Sequence, residues 1–335
     1  MRTSASLFTG GGLFDVGARA AGYEPIWGLE KFDKIASVAR LNGLPVTTVD
    51  VINVDFSELQ RPNHLHASPP CLNFSVANAS AVETELDIAM ASTVCSALST
   101  LQPDTFTLEN VIGYRHSRSF GLVTKTLNGL GYWWDVQNLN SADFGVPQSR
   151  IRLIVRASKK LLQGYPAPVE WRGWYQAIED LIPSLPDTEF APWQIARLPK
   201  EYKEFMLGQG TRSPVLETHE PAQTITANRN QNHIKAFLFA GAGNTNIAEA
   251  QPGKGVRYEA SPAHTVASDD NEPIFTQISN AGKQPIRAYI GRVVKMDVRA
   301  LGRFQTVPDS YQGLTVKING NGFPCLFAQK ILETL

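Results

Sequence analysis

Residues 1–157 alternate short apolar runs with amphipathic segments, and this alternation constrains the fold more than any other feature of the chain. Strands that alternate with helices pair in parallel, and a parallel sheet needs helices on both faces, so the pattern predicts an α/β, doubly wound sheet. Strands are expected at Ser4–Phe8, Glu24–Leu29, Thr47–Val51, His64–Ala67, Asp104–Leu108, Trp133–Asn138 and Arg152–Val155. Between the fourth and fifth, Leu86, Met90, Val94 and Leu98 recur every four residues, with Ala91 and Cys95 one position on. That is the apolar stripe of a helix ended by Gln102-Pro103, and it places Cys95 in the core.

Beyond about residue 160 the texture changes. "GYPAPVEWRGWY" and "EDLIPSLPDTEFAPW" are rich in Pro and Trp, and Thr/Asn/Gly-rich stretches follow to about residue 285. A second, smaller, loop-rich module is expected there. Within it "EPAQTITAN" (220–228) and "SPAHTVASD" (261–269) share a Pro-Ala-x-Thr core 41 residues apart, two similar turn elements rather than a solenoid. Helical character returns at Asp297–Phe304, and "GNGFPCLFAQKILETL" closes the chain with an apolar helix expected to pack on the first lobe. The expected division is 1–160, 161–288 and 289–335.

With 335 residues the chain can bury a large core. Its 31 Lys and Arg balance 31 Asp and Glu, so overall basicity gives no argument for a nucleic-acid partner, although a basic cleft can coexist with acidic outer faces. No apolar run approaches the roughly 20 residues of a membrane helix. The start, "MRTSASLFTGGG", lacks the apolar core and cleavage site of a signal peptide, so no membrane and a cytoplasmic location are expected. Cys71, Cys95 and Cys325 are too few and too scattered for a disulfide framework, and no Cys/His spacing indicates zinc or another metal.

Six stretches can carry chemistry. "SLFTGGGLFDVG" (6–17) is a Gly-rich turn between strand and helix, either a structural turn or a place where a ligand meets backbone without a Cβ in the way; Gly17 falls too late for a dinucleotide fingerprint. Glu30 and Asp50, at the ends of the second and third strands, suit the ribose and adenine of an adenosine ligand, which leaves nicotinamide nucleotides and S-adenosylmethionine both open. In "ASPPCLNFS" Pro69-Pro70 fixes the backbone before Cys71, which is either buried filler or a held nucleophile needing cationic help to become a thiolate. Glu109, in "TLENV", follows three residues of strand and is either a proton-holding acid or a helix N-terminal acid. "FGVPQSRIRLIV" brings Arg150 and Arg152 to one side, for an anionic or carbonyl-rich ligand or for solvent.

Together, the glycine turn, the two strand-end acids, PPC, ENV and QxRxR resemble, in this order, the signature motifs of the cytosine-C5 DNA methyltransferases. Asp50 to Cys71 is 21 residues and Cys71 to Glu109 is 38, as is normal there. "RALGRFQTVPDSY" (299–311) and "GNGFP" (320–324) extend the resemblance over nearly the whole chain, interrupted at about 160–290, where that family keeps its variable target-recognition domain. The resemblance implies a Rossmann-like methyltransferase sheet, S-adenosylmethionine as cofactor without a metal, and double-stranded DNA as partner. It implies a monomer, with a restriction endonuclease as a functional rather than physical partner.

By the same resemblance Cys71 attacks C6 of a cytosine flipped from the duplex, Glu109 meets N3 and the exocyclic amine, Arg152 meets O2, and Arg150 lies beside the thiol. Asn110 shapes the turn. Phe8 stacks near the adenine, Gly10 and Gly12 admit the methionine moiety, Glu30 holds the ribose, Asp50 the adenine amine, and Asn321 closes the site. Four residues depart from the family pattern: Ser6 replaces the usual Asp, Leu13 a Gly, Leu72 a Gln, and Ala300 an acid. The rival readings are a transfer-RNA cytosine methyltransferase, a dinucleotide-dependent oxidoreductase and a non-catalytic DNA-binding relative. Candidate base readers are Asn228, Arg229, Asn230, Gln231 and His233.

Overall fold

The computed structural model describes residues 1–71, 73–74, 82–188, 219–225 and 291–335, with the strand segments 205–208, 215–216, 235–239, 275–276 and 288–289. Leu72, the five candidate base readers and the second Pro-Ala-x-Thr element lie outside the described residues.

The first lobe is built on a seven-stranded sheet. Its strands are β1 (Arg2–Leu7), β2 (Tyr23–Glu30), β3 (Val46–Thr48), β4 (His64–Ala67), β5 (Thr105–Asn110), β6 (Trp133–Asn140) and β8 (Ile151–Ser158), with the short β7 (Gln148–Ser149) between the last two. The order is β3-β2-β1-β4-β5-β8-β6. The first five pair in parallel, and β8 enters antiparallel between β5 and β6, so the sheet is mixed and doubly wound as expected.

Both faces are covered. On one, α3 (Glu85–Leu101) and α4 (Arg118–Gly129) pack over Leu65, Ala67, Phe106 and Leu108. On the other, α1 (Leu13–Ala20) lies against the C-terminal helix α8 (Cys325–Leu332), around Phe14, Phe323 and Phe327. Alternation along β4 serves both layers: Leu65 and Ala67 join the first cluster, while His66 stacks on Phe14 with ring centroids 3.6 Å apart. Helix α2 (Asp33–Leu41) connects β2 to β3, and its Ala36 and Ala39 pack with Leu44 and Val46.

The close packing of α1 and α8 explains Gly17. A Cβ there would lie 2.2 Å from the Cys325 carbonyl oxygen and 2.7 Å from the Ala328 Cβ, so this glycine serves helix–helix contact and not a nucleotide fingerprint.

Helix α3 follows its expected stripe with two differences. Met90, Val94 and Leu98 are buried, but Leu86 is 58% exposed. The helix begins only at Glu85, after a capping box between Thr84 and Asp87, so Leu86 stands in its first turn. Cys95 packs against the core but is only partly buried.

A second, smaller sheet has the order β10-β9-β12-β15, from β9 (Phe205–Gly208), β10 (Val215–Leu216), β12 (Lys235–Phe239) and β15 (Gly291–Lys295), all antiparallel. Two residues each form β13 (Phe275–Thr276) and β14 (Ala288–Tyr289). Strand β15, within 289–335, pairs with β12. Just after it, α6 (Val298–Phe304), capped by Asp297, buries Ala300, Leu301 and Phe304 against α5 (Trp174–Ile178) and Leu216. Helix α7 (Val316–Asn321) then leads back to α8.

Several contacts join the modules beside the start of β8. Strand β11 (Ala222–Gln223), from the first Pro-Ala-x-Thr element, pairs in parallel with β7. The Ala222 N–H donates to the Pro147 carbonyl at 3.0 Å, and the Thr224 hydroxyl donates to the Ser149 carbonyl at 2.8 Å.

Candidate active site

The turn after β1 is the first component. Phe8 lies past the strand's end, not inside it, with φ 59°, and its carbonyl accepts from the Ser68 hydroxyl at 3.3 Å. Gly10 has φ 60° and Gly12 φ 82°, a left-handed conformation that glycine adopts without penalty. The two glycines face different surroundings. A Cβ on Gly10 would meet nothing within 4 Å, whereas one on Gly12 would lie 2.2 Å from the Leu44 side chain. Gly10 thus opens toward space a ligand can take, whereas the Cβ side of Gly12 is filled by Leu44.

Glu30, buried at the end of β2, ties this turn to the next strand. One carboxylate oxygen accepts from the Gly10 N–H at 3.0 Å and the other from the Phe32 N–H at 2.9 Å. Each oxygen keeps a lone pair for a hydroxyl. Asp50 lies two residues beyond β3 instead of inside it, where it caps a 3₁₀ turn, Val51–Asn53. Its carboxylate pairs with Lys31 at 2.7 Å, and that partner holds it below the usual carboxylate range. The backbone bond from Val49 N–H to the Glu30 carbonyl, 2.9 Å, keeps the two acids on neighbouring strand ends.

The second component surrounds the cysteine. Cys71 follows β4 directly after Pro69-Pro70, and its carbonyl accepts from the Phe74 N–H at 3.0 Å, closing a tight turn. Asn110, buried at the end of β5, donates to the Pro69 carbonyl at 3.1 Å and so fixes the proline pair from the adjacent strand. Asn73 donates to Asp87 of α3 at 2.8 Å, and Phe74 meets Tyr114 edge-on at 4.9 Å. The approach is close enough that a Cβ on Gly113 would lie 2.2 Å from the Phe74 carbonyl.

Glu109 and Arg152 form an ion pair at 2.9 Å on the adjacent strands β5 and β8, with their side chains 11% and 15% exposed. Arg150, just before β8, is buried; it donates to the Gly320 carbonyl at 2.9 Å and its backbone N–H donates to the Asn140 side chain at 2.9 Å. Burial first, and then the like charge of Arg152, pull the Arg150 guanidinium down to about 9, still cationic at neutral pH. Both arginines and Glu109 act electrostatically on the thiol.

The balance at Cys71 differs from a ready-made thiolate. Burial pushes its thiol up, the Glu109 charge adds to this, and Arg152 and Arg150 oppose it without prevailing. The resting thiol is therefore protonated, and its activation needs a proton acceptor or a change in surroundings.

Asn321, expected to close the site, is exposed at the end of α7, while the neighbouring Gly320 carbonyl takes up Arg150. Leu13, in place of a usual Gly, is buried; a Cβ on Gly322 would lie 2.4 Å from its side chain, so the space Leu13 takes is released by a glycine opposite. Ala300, in place of an acid, is fully buried in the apolar cluster of the second module. Tyr311, which ends the 299–311 block, ties that block to the glycine turn: its hydroxyl donates to the Gly11 carbonyl. Among the described residues no group of three or more His, Cys, Asp or Glu is placed to hold a metal ion, and no helix is long and apolar enough to cross a membrane.

A mixed seven-stranded sheet with a cysteine, a glutamate and two arginines at its strand ends has the fold of a Rossmann-like methyltransferase. Solved structures agree on the fold. The Entamoeba histolytica methyltransferase EhMeth superposes with a TM-score of 0.61 at 11% identity, covering 100% of this chain and 97% of that one. A putative DNA modification methyltransferase encoded within an E. coli prophage gives 0.58 at 17%, covering 100% and 98%. A family model described as C-5 cytosine-specific DNA methylase matches residues 2–335, and the chain belongs to that family.

Among curated relatives, Type II methyltransferase M.NgoBI of Neisseria gonorrhoeae is 30% identical over 56% of this chain and 60% of its own length. Type II methyltransferase M.HaeII of Haemophilus aegyptius is 29% identical over 53% and 56%. The chain thus spans little more than half the length of these two relatives. Type II methyltransferase M1.HphI of Haemophilus parahaemolyticus, 23% identical, is matched over 99% of this chain and 86% of its own.

Proposed function

We propose that this chain methylates C5 of cytosine in double-stranded DNA through a transient bond between Cys71 and C6 of the base. The observation that carries the reading is the meeting of Cys71 with the Glu109–Arg152 pair and Arg150 at adjacent strand ends of one sheet, next to the turn that Glu30 holds. C5 of cytosine is a poor nucleophile. Addition of a thiolate at C6 makes it enamine-like, which is the problem covalent catalysis solves here.

In this reading Glu109 meets N3 and the exocyclic amine and draws electron density off the ring as sulfur adds, while Arg152 orients Glu109 and meets O2. Arg150 and Arg152 stabilise the thiolate once its proton has left. Release of the C5 proton and departure of Cys71 restore the aromatic ring. A stacked, paired cytosine cannot bring C6 to the thiol, so the base is flipped into the cleft.

S-adenosylmethionine supplies an electrophilic methyl group from its sulfonium. The residues present fit this cofactor: open space above Gly10, acceptor lone pairs on Glu30 and an anionic Asp50 suit a methionine backbone, a ribose and an adenine amine, respectively. Phe8 and Asn321 complete the proposed contacts. No metal is needed in this scheme.

The division into a catalytic unit at 1–160, a recognition unit at 161–288 and a closing segment at 289–335 belongs to the same reading. Support comes from the second sheet and from the β7–β11 pairing, which sets a recognition element against the strand leading to Arg150 and Arg152. The proposed protein is a cytoplasmic monomer, acting alone or beside a restriction endonuclease of the same specificity.

Bisulfite sequencing of DNA from cells that express the chain tests the reading. Methylation at a defined sequence, lost in Cys71→Ser, is expected. Unmodified DNA accompanied by 5-methylcytosine in cellular RNA would transfer the chemistry to an RNA substrate.

A further inference from the structure

Two departures from the family pattern are matched by second residues that the structure brings against them. Leu13 is matched by Gly322. Ser6 is matched by Asp15: the Ser6 hydroxyl, buried on β1, donates to the Asp15 carboxylate at 3.0 Å. The Asp15 side chain comes from the first turn of α1, below the glycine turn, and its other oxygen is buried without a hydrogen-bond partner.

The chain of contacts continues to the turn itself. Ser6 Oγ lies 2.9 Å from the Thr9 hydroxyl, which also donates to the Ser6 carbonyl at 3.0 Å. Thr9 is held on every side: its N–H donates to the Leu29 carbonyl at 2.9 Å and its carbonyl accepts from Gly12 N–H at 3.0 Å. The pocket for these hydroxyls exists because residue 28 is glycine, whose Cβ would come 2.7 Å from Thr9 Oγ1 and 3.2 Å from Ser6 Oγ.

We propose that Asp15 restores, from helix α1, the acid absent at Ser6, and that as a positioning residue it holds the glycine turn and favours a cationic cofactor over an uncharged-sulfur product. The proposal rests on the methyl-transfer reading. When Asp15 is anionic, the single Ser6 hydroxyl proton goes to it, so Ser6 Oγ offers Thr9 only lone pairs, and the one Thr9 hydroxyl proton is shared between Ser6 Oγ and the Ser6 carbonyl. A buried negative charge in poorly screened surroundings also attracts the sulfonium of S-adenosylmethionine, which S-adenosylhomocysteine lacks.

Burial raises Asp15 to about 7, with the Ser6 hydrogen bond, its own backbone N–H and Arg19 acting in the opposite direction. The other titratable groups around it keep one charge state near neutrality. Tyr311 and the Cys325 thiol, from the C-terminal segments, are both raised by burial and stay neutral. His64 and His66, on the strand under Phe14, are lowered by burial and also stay neutral. Arg19 is the cation on the same helix.

Calorimetric titration of S-adenosylmethionine and S-adenosylhomocysteine into the wild type, Asp15→Asn and Ser6→Ala at pH 6 and pH 8 tests this. For the wild type, S-adenosylmethionine should bind about three- to tenfold more tightly at pH 8, tenfold being the limit for one group titrating near 7, with a smaller gain for S-adenosylhomocysteine. Asp15→Asn should lose the difference between the two ligands, leaving the pH effect of their shared α-amino group, which titrates near about 8. Ser6→Ala should bind severalfold more weakly at pH 8.

A wild-type profile retained in Asp15→Asn overturns the proposal, as does unchanged affinity in Ser6→Ala, which keeps it testable if the asparagine variant does not fold. Absence of S-adenosylmethionine binding by the wild type at both pH values overturns the methyl-transfer reading and this inference with it.

Discussion

The Arg152 guanidinium meets the Glu109 carboxylate at 2.9 Å across two antiparallel neighbours of the sheet, with both side chains almost withdrawn from solvent. In such a pair the arginine fixes which way the carboxylate points and leaves its remaining lone pairs for a substrate. Substituting Arg152→Ala leaves Glu109 without its partner. Methyl transfer should fall by about 10²- to 10⁴-fold, the range for a positioned acid–base group, with S-adenosylmethionine affinity retained. Single-turnover kinetics with separate cofactor titration checks this, and an unchanged rate would remove the pair from the chemistry.

The thiol of Cys71 gives a pH prediction with a definite sign. Burial and Glu109 raise it, and the two arginines lower it. Its alkylation by iodoacetamide, followed by mass spectrometry, should therefore have a midpoint above that of an ordinary cysteine. Glu109→Gln removes a negative neighbour and should bring the midpoint down; Arg152→Ala should bring it up. Shifts in the opposite directions would refute this electrostatic account of the thiol.

Gly17 and Gly10 should respond to alanine in different ways. At Gly17 the added Cβ meets backbone of α8, which cannot move aside cheaply, so Gly17→Ala should destabilise the fold by about 2 kcal/mol or more. At Gly10 the space is open but φ is 60°, a conformation that costs alanine about 1 kcal/mol. Gly10→Ala should lose mainly cofactor affinity. Urea unfolding and cofactor titration on both variants separate the two effects.

Stability against pH should carry the mark of Asp15. Its folded value, about 7, lies above the unfolded value of 3.8, so the folded state holds a proton that the unfolded state releases. This contribution is fully present below about pH 4 and is lost as pH rises through 7. Asp15→Asn should flatten this part of the stability profile, as read by urea midpoints between pH 4 and 8. An identical slope in both proteins would rule out titration of Asp15 in that window.

Much of this was legible in the chain. Local alternation of apolar residues predicts strands and helices because burial on one face or two is written into periodicity, and β1 to β6 and β8 lie where the pattern puts them, to within a few residues at each end. Gln102-Pro103 ends α3 because proline cannot continue a helix; Gln102 takes φ 41° there. The PPC, ENV and QxRxR motifs identify candidate site residues because each lies at a strand end of one sheet, PPC after β4, ENV at the end of β5 and QxRxR at the start of β8.

What the sequence by itself determined was the order of elements, the family and the residue types at the site. Only the tertiary structure decided which partner each residue meets. That Arg152 turns to Glu109 while Arg150 turns to Gly320, that Leu44 fills the space beside Gly12 and that Gly17 serves α8 are contacts between segments far apart in the chain. Periodicity carries local burial, but pairing across such separations depends on how the packed layers bring side chains together, and no local pattern encodes that.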